Sequence, residues 1–184
     1  ERMIEVKENG LILTQQQSSC VILKENGGEQ TLPIIIGEYE AQSIALGLEN
    51  IAPPRPITHD LLLNMLEAMD AKIERVIVTD LKNNTYFAII QVKRKSRVYE
   101  IDARPSDAIA LAVRQDIRIF VEEEVMQKGA YSADELQDIE ERQIEAGNDR
   151  LERLKKDLQE AVEKELYEDA AKIRDEINKL ESRQ

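Results

Sequence analysis

The chain has 184 residues, enough for one ordinary domain and a small appendage, because single domains usually run to about 100–150 residues. Its 25 Lys and Arg against 37 Asp and Glu give a net charge of -12, which argues against non-specific coating of DNA or of an anionic membrane. No apolar run approaches membrane-spanning length, and a single cysteine, Cys20, excludes an internal disulfide and a cysteine-based zinc site and favours a reducing, cytoplasmic location.

The first 37 residues predict strands separated by turn residues. Apolar runs at residues 4–6, 20–23 and 32–36 are typical of strands, and Gly27-Gly28 between the last two is typical of a turn. We therefore expect a hairpin-like start to the chain.

Two helices follow these strands. Residues 41–48 carry apolar side chains at helical spacing, and the pattern returns over residues 61–69, after a rigid proline segment at 52–56. Thr58 stands where the N-cap of the second helix belongs, because its hydroxyl can accept a hydrogen bond from a free backbone N–H.

Residues 73–121 return to strands, with one further helix. Strands are predicted at 73–79, 86–92 and 98–103, a helix over 108–113, and a last strand at 117–121. Strands first, paired helices in the middle and strands again predict an α+β fold. It would hold a mixed, mostly antiparallel sheet with helices packed on it.

The last part of the chain differs in kind. Residues 122–150 hold 3 Lys and Arg against 10 Asp and Glu, which predicts a solvated, acidic and helical connector. Within residues 151–184, apolar side chains recur at helical spacing on both sides of 164–168, which predicts two amphipathic helices in an antiparallel α-hairpin. The predicted domains are therefore 1–125, 126–150 and 151–184.

Three blocks of the sequence carry a family resemblance. Residues 32–45, LPIIIGEYEAQSIA, residues 53–62, PPRPITHDLL, and residues 100–114, EIDARPSDAIALAVR, together resemble the bifunctional nuclease family of bacteria and plants, which is credited with DNase and RNase activity. The match runs in order from about residue 3 to residue 125. The resemblance implies an α+β fold and metal-assisted cleavage of DNA or RNA, and it assigns no catalytic residue.

The tail resembles a second motif. Residues 167–177, YEDAAKIRDEI, lie at the centre of a stretch that resembles the UVR motif of the excision-nuclease B and C subunits, a helical hairpin that binds another hairpin. Residues 151–184 are too few to bury enough apolar surface alone, so the apolar stripe of each helix predicts packing against a second hairpin. We therefore expect a homo-oligomer, or a protein partner that bears the same motif.

The third block predicts a strand that turns into a capped helix. Pro105 suits the first helical position, and Ser106 and Asp107 can accept hydrogen bonds from the free N–H groups of the helix start. Asp102 and Arg104 share one face of the strand, so an ion pair between them is expected. On this structural interpretation the block is an Asp–Arg pair followed by a helix cap.

The structural interpretation leaves Glu100 unexplained. Glu100 lies beside Asp102 on one strand face, and a carboxylate pair near a helix N-terminus is what Mg²⁺ or Mn²⁺ needs at a phosphoryl-transfer site. Glu40, just after a strand-to-helix junction, could add a carboxylate to the same site or simply favour its own helix N-terminus. The sequence therefore predicts a metal site of Asp102, Glu40 and Glu100, with a capped turn as the alternative.

The remaining candidates are a histidine and basic side chains. His59, the only histidine, could act with Asp60 as a general base or as a metal ligand, or it could be an exposed side chain in the first turn of its helix. Arg104 is predicted to clamp a substrate phosphate, with Ser106 and Arg55 as further contacts.

Two functions from different classes remain open. In the first, the chain is a nuclease in which Asp102, Glu40, His59 and Asp107 carry the hydrolysis of DNA or RNA with Mg²⁺ or Mn²⁺, while the tail mediates protein association. In the second, the chain is a non-catalytic adaptor whose UVR-like hairpin recruits a partner. The family resemblance and the clustered carboxylates favour the first, and the acidic charge and the lack of a familiar catalytic motif keep the second as the alternative. Neither function involves a membrane.

Overall fold

The structure is a computed structural model that describes residues 2–13, 19–132, 134–135, 151–161, 163 and 166–181. The chain forms two compact units, Glu1–Ala133 and Asp134–Gln184. The predicted connector, 126–150, lies mostly outside the described residues, and its residues up to 132 belong to the first unit.

Seven strands of the described residues form one sheet in the first unit. They are β1 (Met3–Leu13), β2 (Ser19–Glu25), β3 (Thr31–Ile36), β4 (Ala71–Lys82), β5 (Thr85–Arg94), β6 (Arg97–Ala103) and β7 (Ile119–Glu122). The strand order is β3-β2-β1-β7-β4-β5-β6, and all neighbouring pairs are antiparallel except β4 and β7, which run parallel. This confirms the predicted mixed, mostly antiparallel sheet.

The helices of the first unit pack on this sheet. Its described ranges contain α1 (Glu38–Leu48), α2 (Thr58–Ala68), α3 (Pro105–Arg114) and α4 (Glu123–Gly129). Ile44 of α1 and Ile109 of α3 are fully buried in one core with apolar side chains of the strands. The sequence analysis predicted α4 only as the start of a solvated helical connector, but Val125 and Met126 anchor it in the same core.

Alternation along the strands decides which side chains face the helices. Ile90 of β5 is buried in the core that also holds α1 and α3. Its neighbours Ile89 and Gln91 project to the other face, and they lie directly opposite Asp102 and Glu100 of β6. Because opposite residues of an antiparallel pair share a face, Asp102 and Glu100 lie on the side of the sheet away from α1 and α3.

The start of α2 differs from the prediction. Ile57 is the N-cap and Thr58 is already the first helical residue, so the predicted Thr58 cap is wrong. The Asp60 carboxylate accepts a hydrogen bond from the Ile57 N–H at 3.1 Å, which satisfies a backbone donor at the helix start. This bond fixes Asp60, and with it the adjacent His59, at the beginning of α2.

The described part of the second unit contains two helices, α5 at residues 151–161 and α6 (Tyr167–Glu181). Ala161, Ala170 and Ile177 are buried, and the Leu166 N–H donates a hydrogen bond to the Ala161 carbonyl at 2.9 Å where the chain reverses. This confirms the predicted antiparallel α-hairpin. Throughout the described ranges of both units, every helix is too short or too polar to cross a membrane.

Candidate functional site

The N-terminal ends of three helices meet at one group of polar side chains. Glu40 is the third residue of α1, His59 the second of α2 and Asp107 the third of α3, while Arg104 is the N-cap residue of α3. We call these four side chains the Arg104 network. Each helix carries a positive partial charge at its N-terminus, so the backbone around the network favours a negatively charged ligand.

Local sequence explains where these helices begin. Gly37 is the N-cap of α1, and a side chain at this position would overlap the Glu40 carboxylate, which folds back over it. Pro105 is the first helical residue of α3, and it keeps Arg104 extended, with φ -70° and ψ 144°. Since β6 ends at Ala103, Arg104 has left the strand and its side chain turns toward the helices.

Arg104 joins the first and third helices. Its Nε and Nη2 donate hydrogen bonds to the two carboxylate oxygens of Asp107 at 2.7 and 3.0 Å, and its Nη1 donates to Glu40 Oε1 at 2.9 Å. The Asp107 carboxylate, with Glu40, raises the pKa of Arg104, and the bonds from Arg104 hold the pKa of Asp107 below its usual range. The Arg104 side chain is 65% exposed, and three of its five N–H groups are used in these bonds.

His59 links the network to Ser43 of α1. Its Nε2 lies 3.5 Å from Asp107 Oδ1, its Nδ1 lies 2.8 Å from Ser43 Oγ, and its side chain is 12% exposed. The Ser43 hydroxyl can donate or accept, so it can bind Nδ1 with or without a proton there. Burial and the nearby Arg114 guanidinium lower the pKa of His59, so the imidazole is neutral at pH 7.

A mostly buried ion pair holds Ser43 in place. Arg114 donates from Nε to Asp60 Oδ1 at 2.9 Å, from Nη2 to Ser43 Oγ at 3.2 Å and from Nη1 to the Ala110 carbonyl at 2.6 Å. The Arg114 side chain is 8% exposed. Burial alone would raise the pKa of Asp60, but the hydrogen bonds from Arg114 and from the backbone at the start of α2 outweigh it and lower that pKa.

Sequence reasoning missed Ser43 and Arg114. Ser43 follows Glu40 by three residues and Arg114 follows Asp107 by seven, so each shares a helix face with a predicted site residue. That spacing is the one signal that could have pointed to them. It is weak, because serines and arginines occur on many helix faces.

Two of the predicted metal ligands lie away from the network. Asp102 and Glu100 are on the other face of the sheet from α1 and α3, and Glu100 accepts a hydrogen bond from Gln91 at 2.9 Å. Strand alternation therefore separates them from Glu40. In the ranges that the structure describes, no group of three or more His, Cys, Asp or Glu side chains is arranged to hold a metal ion.

The remaining predictions concern α3 and the segment before α2. The expected Asp102–Arg104 pair is wrong, because Arg104 lies beyond the end of β6 and binds carboxylates of α1 and α3 instead. Ser106 is buried, and both carboxylate oxygens of Asp107 are turned toward Arg104 and away from the expected cap of α3. Arg55 is exposed in the segment between α1 and α2.

Two matches to known families cover most of the chain. Residues 21–134 match the bifunctional nuclease domain, and residues 148–183 match the UvrB/uvrC motif. The chain belongs to the bifunctional nuclease domain family. The matches confirm both resemblances in their order along the chain, and the whole Arg104 network lies inside the bifunctional nuclease domain.

The relatives of this chain differ in the share of their own length that the alignment covers. An uncharacterized protein of Mycobacterium tuberculosis strain H37Rv is 37% identical over 158 residues, which are 85% of this chain and 93% of that protein. Bifunctional nuclease 2 of Arabidopsis thaliana is 33% identical over 107 residues, 56% of this chain and 32% of the plant protein. Bifunctional nuclease 1 of Oryza sativa subsp. indica is 28% identical over 123 residues, 63% of this chain and 37% of the rice protein.

Proposed function

We propose that the first unit hydrolyses phosphodiester bonds of nucleic acids at the Arg104 network. One observation carries the proposal: an exposed guanidinium, a neutral imidazole and two carboxylates meet at the N-terminal ends of three helices. A cation and helix N-termini together attract a phosphate. Membership of the bifunctional nuclease domain family supports nucleic acid as the substrate class.

Arg104 is the proposed phosphate contact. The two N–H groups that its bonds to Asp107 and Glu40 leave over can bind phosphate oxygens, while those bonds fix the plane of the guanidinium. Negative charge shifts among the phosphate oxygens as the phosphorus is attacked. A guanidinium held in place beforehand stabilises this charge without having to reorganise.

His59 is the proposed general base. In the tautomer that donates Nδ1–H to Ser43, Nε2 is unprotonated and can take a proton from a water molecule, and Asp107 Oδ1 at 3.5 Å stabilises the imidazolium that forms. The oxygen of that water then bonds to phosphorus, the P–O bond to the leaving nucleoside oxygen breaks, and the leaving oxygen takes a proton from solvent. Arg114 and Asp60 act as positioning residues, because they hold Ser43 and so fix the imidazole ring.

The predicted metal set does not fit the described residues. Glu40 and Asp107 already bind Arg104, while Asp102 and Glu100 lie on the opposite face of the sheet. The steps above therefore use protein groups alone. Dependence on Mg²⁺ or Mn²⁺ stays a prediction for the assay.

A nuclease assay on the full chain tests the proposal. Single-stranded DNA and RNA are incubated with Mg²⁺, with Mn²⁺ and with EDTA, using the wild type, His59→Asn, Arg104→Gln and Glu40→Gln. We expect cleavage that the first two replacements lower by about 100-fold or more, because general bases and charge-stabilising groups contribute on that scale. Glu38→Gln is the matched control for Glu40→Gln, since Glu38 is exposed in the same helical turn and lies outside the network. Cleavage that His59→Asn leaves unchanged would contradict the proposed site.

We further propose that the α-hairpin of the second unit mediates protein association. Leu151, Leu154 and Leu158 of α5 and Ile173 of α6 are only partly buried, so each helix retains an apolar stripe. A second hairpin, from another copy of the chain or from a partner with the same motif, could cover both stripes in a four-helix bundle. The match to the UvrB/uvrC motif supports this assignment.

Light scattering tests the association. We expect the wild type to form an oligomer, and Leu158→Asp combined with Ile173→Asp to lose it while circular dichroism reports a folded chain. Asp157→Asn with Asp175→Asn is the matched control, because these two aspartates lie on the same two helices and both are exposed. If the Leu158 and Ile173 double variant keeps the wild-type mass, the hairpin is not an assembly element on its own.

A non-catalytic adaptor is the second candidate function, and the partly uncovered hairpin is the observation that favours it. Inertness toward DNA and RNA under every metal condition, together with a partner captured through residues 151–184, would favour the adaptor over the nuclease. The cytoplasmic location expected from the single cysteine stays a prediction under both functions.

A further inference from the structure

A second polar site lies on the face of the sheet away from α1 and α3. Phe120 of β7 stands between Ile119 and Val121, which are both in the core, so its ring projects to the opposite face. Beside it is a cleft of about 430 Å³, which we call the Phe120 cleft. The cleft is lined by Lys72, Ile73, Glu74, Arg75 and Arg118.

Two guanidinium groups lie over the Phe120 ring. The Cζ atoms of Arg75 and Arg118 are 5.8 and 5.6 Å from the ring centroid. Arg75 Nε also donates to Gln91 Oε1 at 2.6 Å, and Gln91 Nε2 donates to Glu100 at 2.9 Å. A cation–π contact orients a guanidinium without neutralising its charge, so both groups remain able to attract an anion.

The positive charge of the Phe120 cleft is not balanced within its lining. The one carboxylate there, Glu74, already pairs with Lys93 at 3.0 Å. Neither Lys72 nor Arg118 has a carboxylate partner among the residues that the structure describes. In a chain of net charge -12, such a local excess of cations marks a place where an anion can approach.

The Phe120 cleft and the Arg104 network are far apart along the sheet. Lys72 of the cleft is near the start of β4. Arg104 follows Ala103, which lies level with Val78 of β4 because both pair with Ala88 of β5. Val78 is six residues further along β4 than Lys72. At about 3.3 Å per residue, the two sites are separated by roughly 20 Å along the strand direction. The two sites also lie on opposite faces of the sheet, so a ligand that touches both must be an extended and flexible polyanion that passes around the sheet.

We propose that the Phe120 cleft binds phosphates of a single-stranded nucleic acid. This choice of ligand rests on the proposed function, because a strand cut at the Arg104 network extends away from the reacting phosphate. Guanidinium planes over an aromatic ring offer charge for phosphates and a flat surface for an unstacked base, which single strands present and duplexes do not. The Phe120 cleft is thus a second contact that holds the substrate.

Binding is measured first, in EDTA, so that the result does not depend on cleavage. The probes are a short fluorescein-labelled DNA single strand and its RNA counterpart, read by fluorescence anisotropy with the full chain. Lys72→Gln combined with Arg118→Gln should weaken binding by roughly tenfold or more at low salt. The slope of log K against log salt concentration should also become less steep by about 1.4, because each of the two lost phosphate contacts accounts for about 0.7. Lys24→Gln is the matched control, since Lys24 is exposed on the same face of the sheet, in β2.

A kinetic measurement separates the Phe120 cleft from the reacting site. With a single-stranded oligonucleotide, the Lys72 and Arg118 double variant should raise KM and leave kcat within about twofold of wild type. With bis(p-nitrophenyl) phosphate, which is too short to reach the cleft, both constants should stay at wild-type values.

The outcomes distinguish the cleft from the proposed function. A double variant that binds single strands as tightly as Lys24→Gln overturns the inference, and so does a wild-type chain that binds neither probe. A third outcome is that the wild type binds single strands but cuts neither DNA nor RNA, and that the double variant loses this binding. That result supports the Phe120 cleft and contradicts the proposed nuclease activity.

Discussion

His59 makes the stability of the fold sensitive to mild acid. Burial and Arg114 lower its pKa below the value of about 6.5 that it has in an unfolded chain, so the unfolded chain takes up this proton more readily. The stability that depends on the neutral ring is therefore lost as pH falls from about 6.5 through the lowered pKa. We expect the midpoint temperature of thermal unfolding to decrease as the pH is lowered over this range. In His59→Gln the decrease should be smaller, because the contribution of the histidine is absent.

Other groups with shifted pKa values act at lower pH. The pKa values of Asp60 and Asp107 lie below their usual range, so the stability they contribute is present above about pH 4 and is lost below it. His59 is the chain's only histidine, which makes the window between pH 5 and 7 specific to it. If His59→Gln unfolds with the same pH profile as wild type in that window, another group is responsible.

Arg114 links stability to the orientation of His59. Arg114→Met leaves Asp60 without its guanidinium partner and Ser43 without a donor, so we expect a loss of about 3 kcal/mol in the free energy of unfolding, measured in urea. Adding Asp60→Leu should recover part of this loss, because no unpaired charge then remains. A double variant that is less stable than Arg114→Met would contradict this account.

The four residues of the Arg104 network were all named from the sequence, because strand-to-helix junctions and their first-turn polar residues are local signals. The separation of Asp102 and Glu100 from Glu40 has a physical cause. Alternation correctly placed them on one face, and it puts Ile101 between them on the helix side, opposite the buried Ile90 of β5. The sequence alone did not say how Arg104 turns once it leaves the strand.

At the level of the elements, Gly47 sets how closely α1 and α3 approach. A Cβ at this position would lie 2.6 Å from Val113 Cγ2 and 3.2 Å from Arg114 Nη1. Gly47→Val should therefore push the helices apart and lower the free energy of unfolding by roughly 2 kcal/mol in urea. Because Arg114 moves with α3, nuclease activity should fall as well.

Val113→Ala provides the test of this overlap. Removing the opposing methyl groups should make Gly47→Ala less damaging than it is in the wild-type background, which a double-mutant cycle measures. Equal effects of Gly47→Ala in both backgrounds would mean that contact with Val113 does not limit the approach of the two helices.

Periodicity located most strands and helices of the first unit because their apolar residues meet the core at regular intervals. It did not reveal the strand order. Turn residues indicate which consecutive strands pair, as Asn83 and Asn84 do between β4 and β5. The position of β7 in the sheet depends instead on Ile119 and Val121, which pack into a core built by distant segments. Such long-range packing leaves no local signal in the sequence.

For the whole molecule, the hydrophobic core of the first unit is complete without the tail. Its described members run from Val6 to Met126. We expect a chain that stops after residue 133 to keep its thermal transition and, within about threefold, the kcat of the nuclease reaction, because no residue of the Arg104 network is removed. The shortened chain should also fail to associate. Loss of cleavage in a folded, shortened chain would mean that the reaction needs residues of the second unit.

The central place of β7 in the sheet has a consequence for synthesis. β7 is the last of the described strands to be made, yet it lies between β1 and β4. Until it emerges, β1–β3 and β4–β6 are two small sheets, each with an open edge of unpaired N–H and C=O groups that other chains can join. At about 5–20 residues per second, the roughly 86 residues from the end of β3 to the end of β7 keep the first edge open for about 4–17 seconds. Ile119–Glu122 then closes both edges at once.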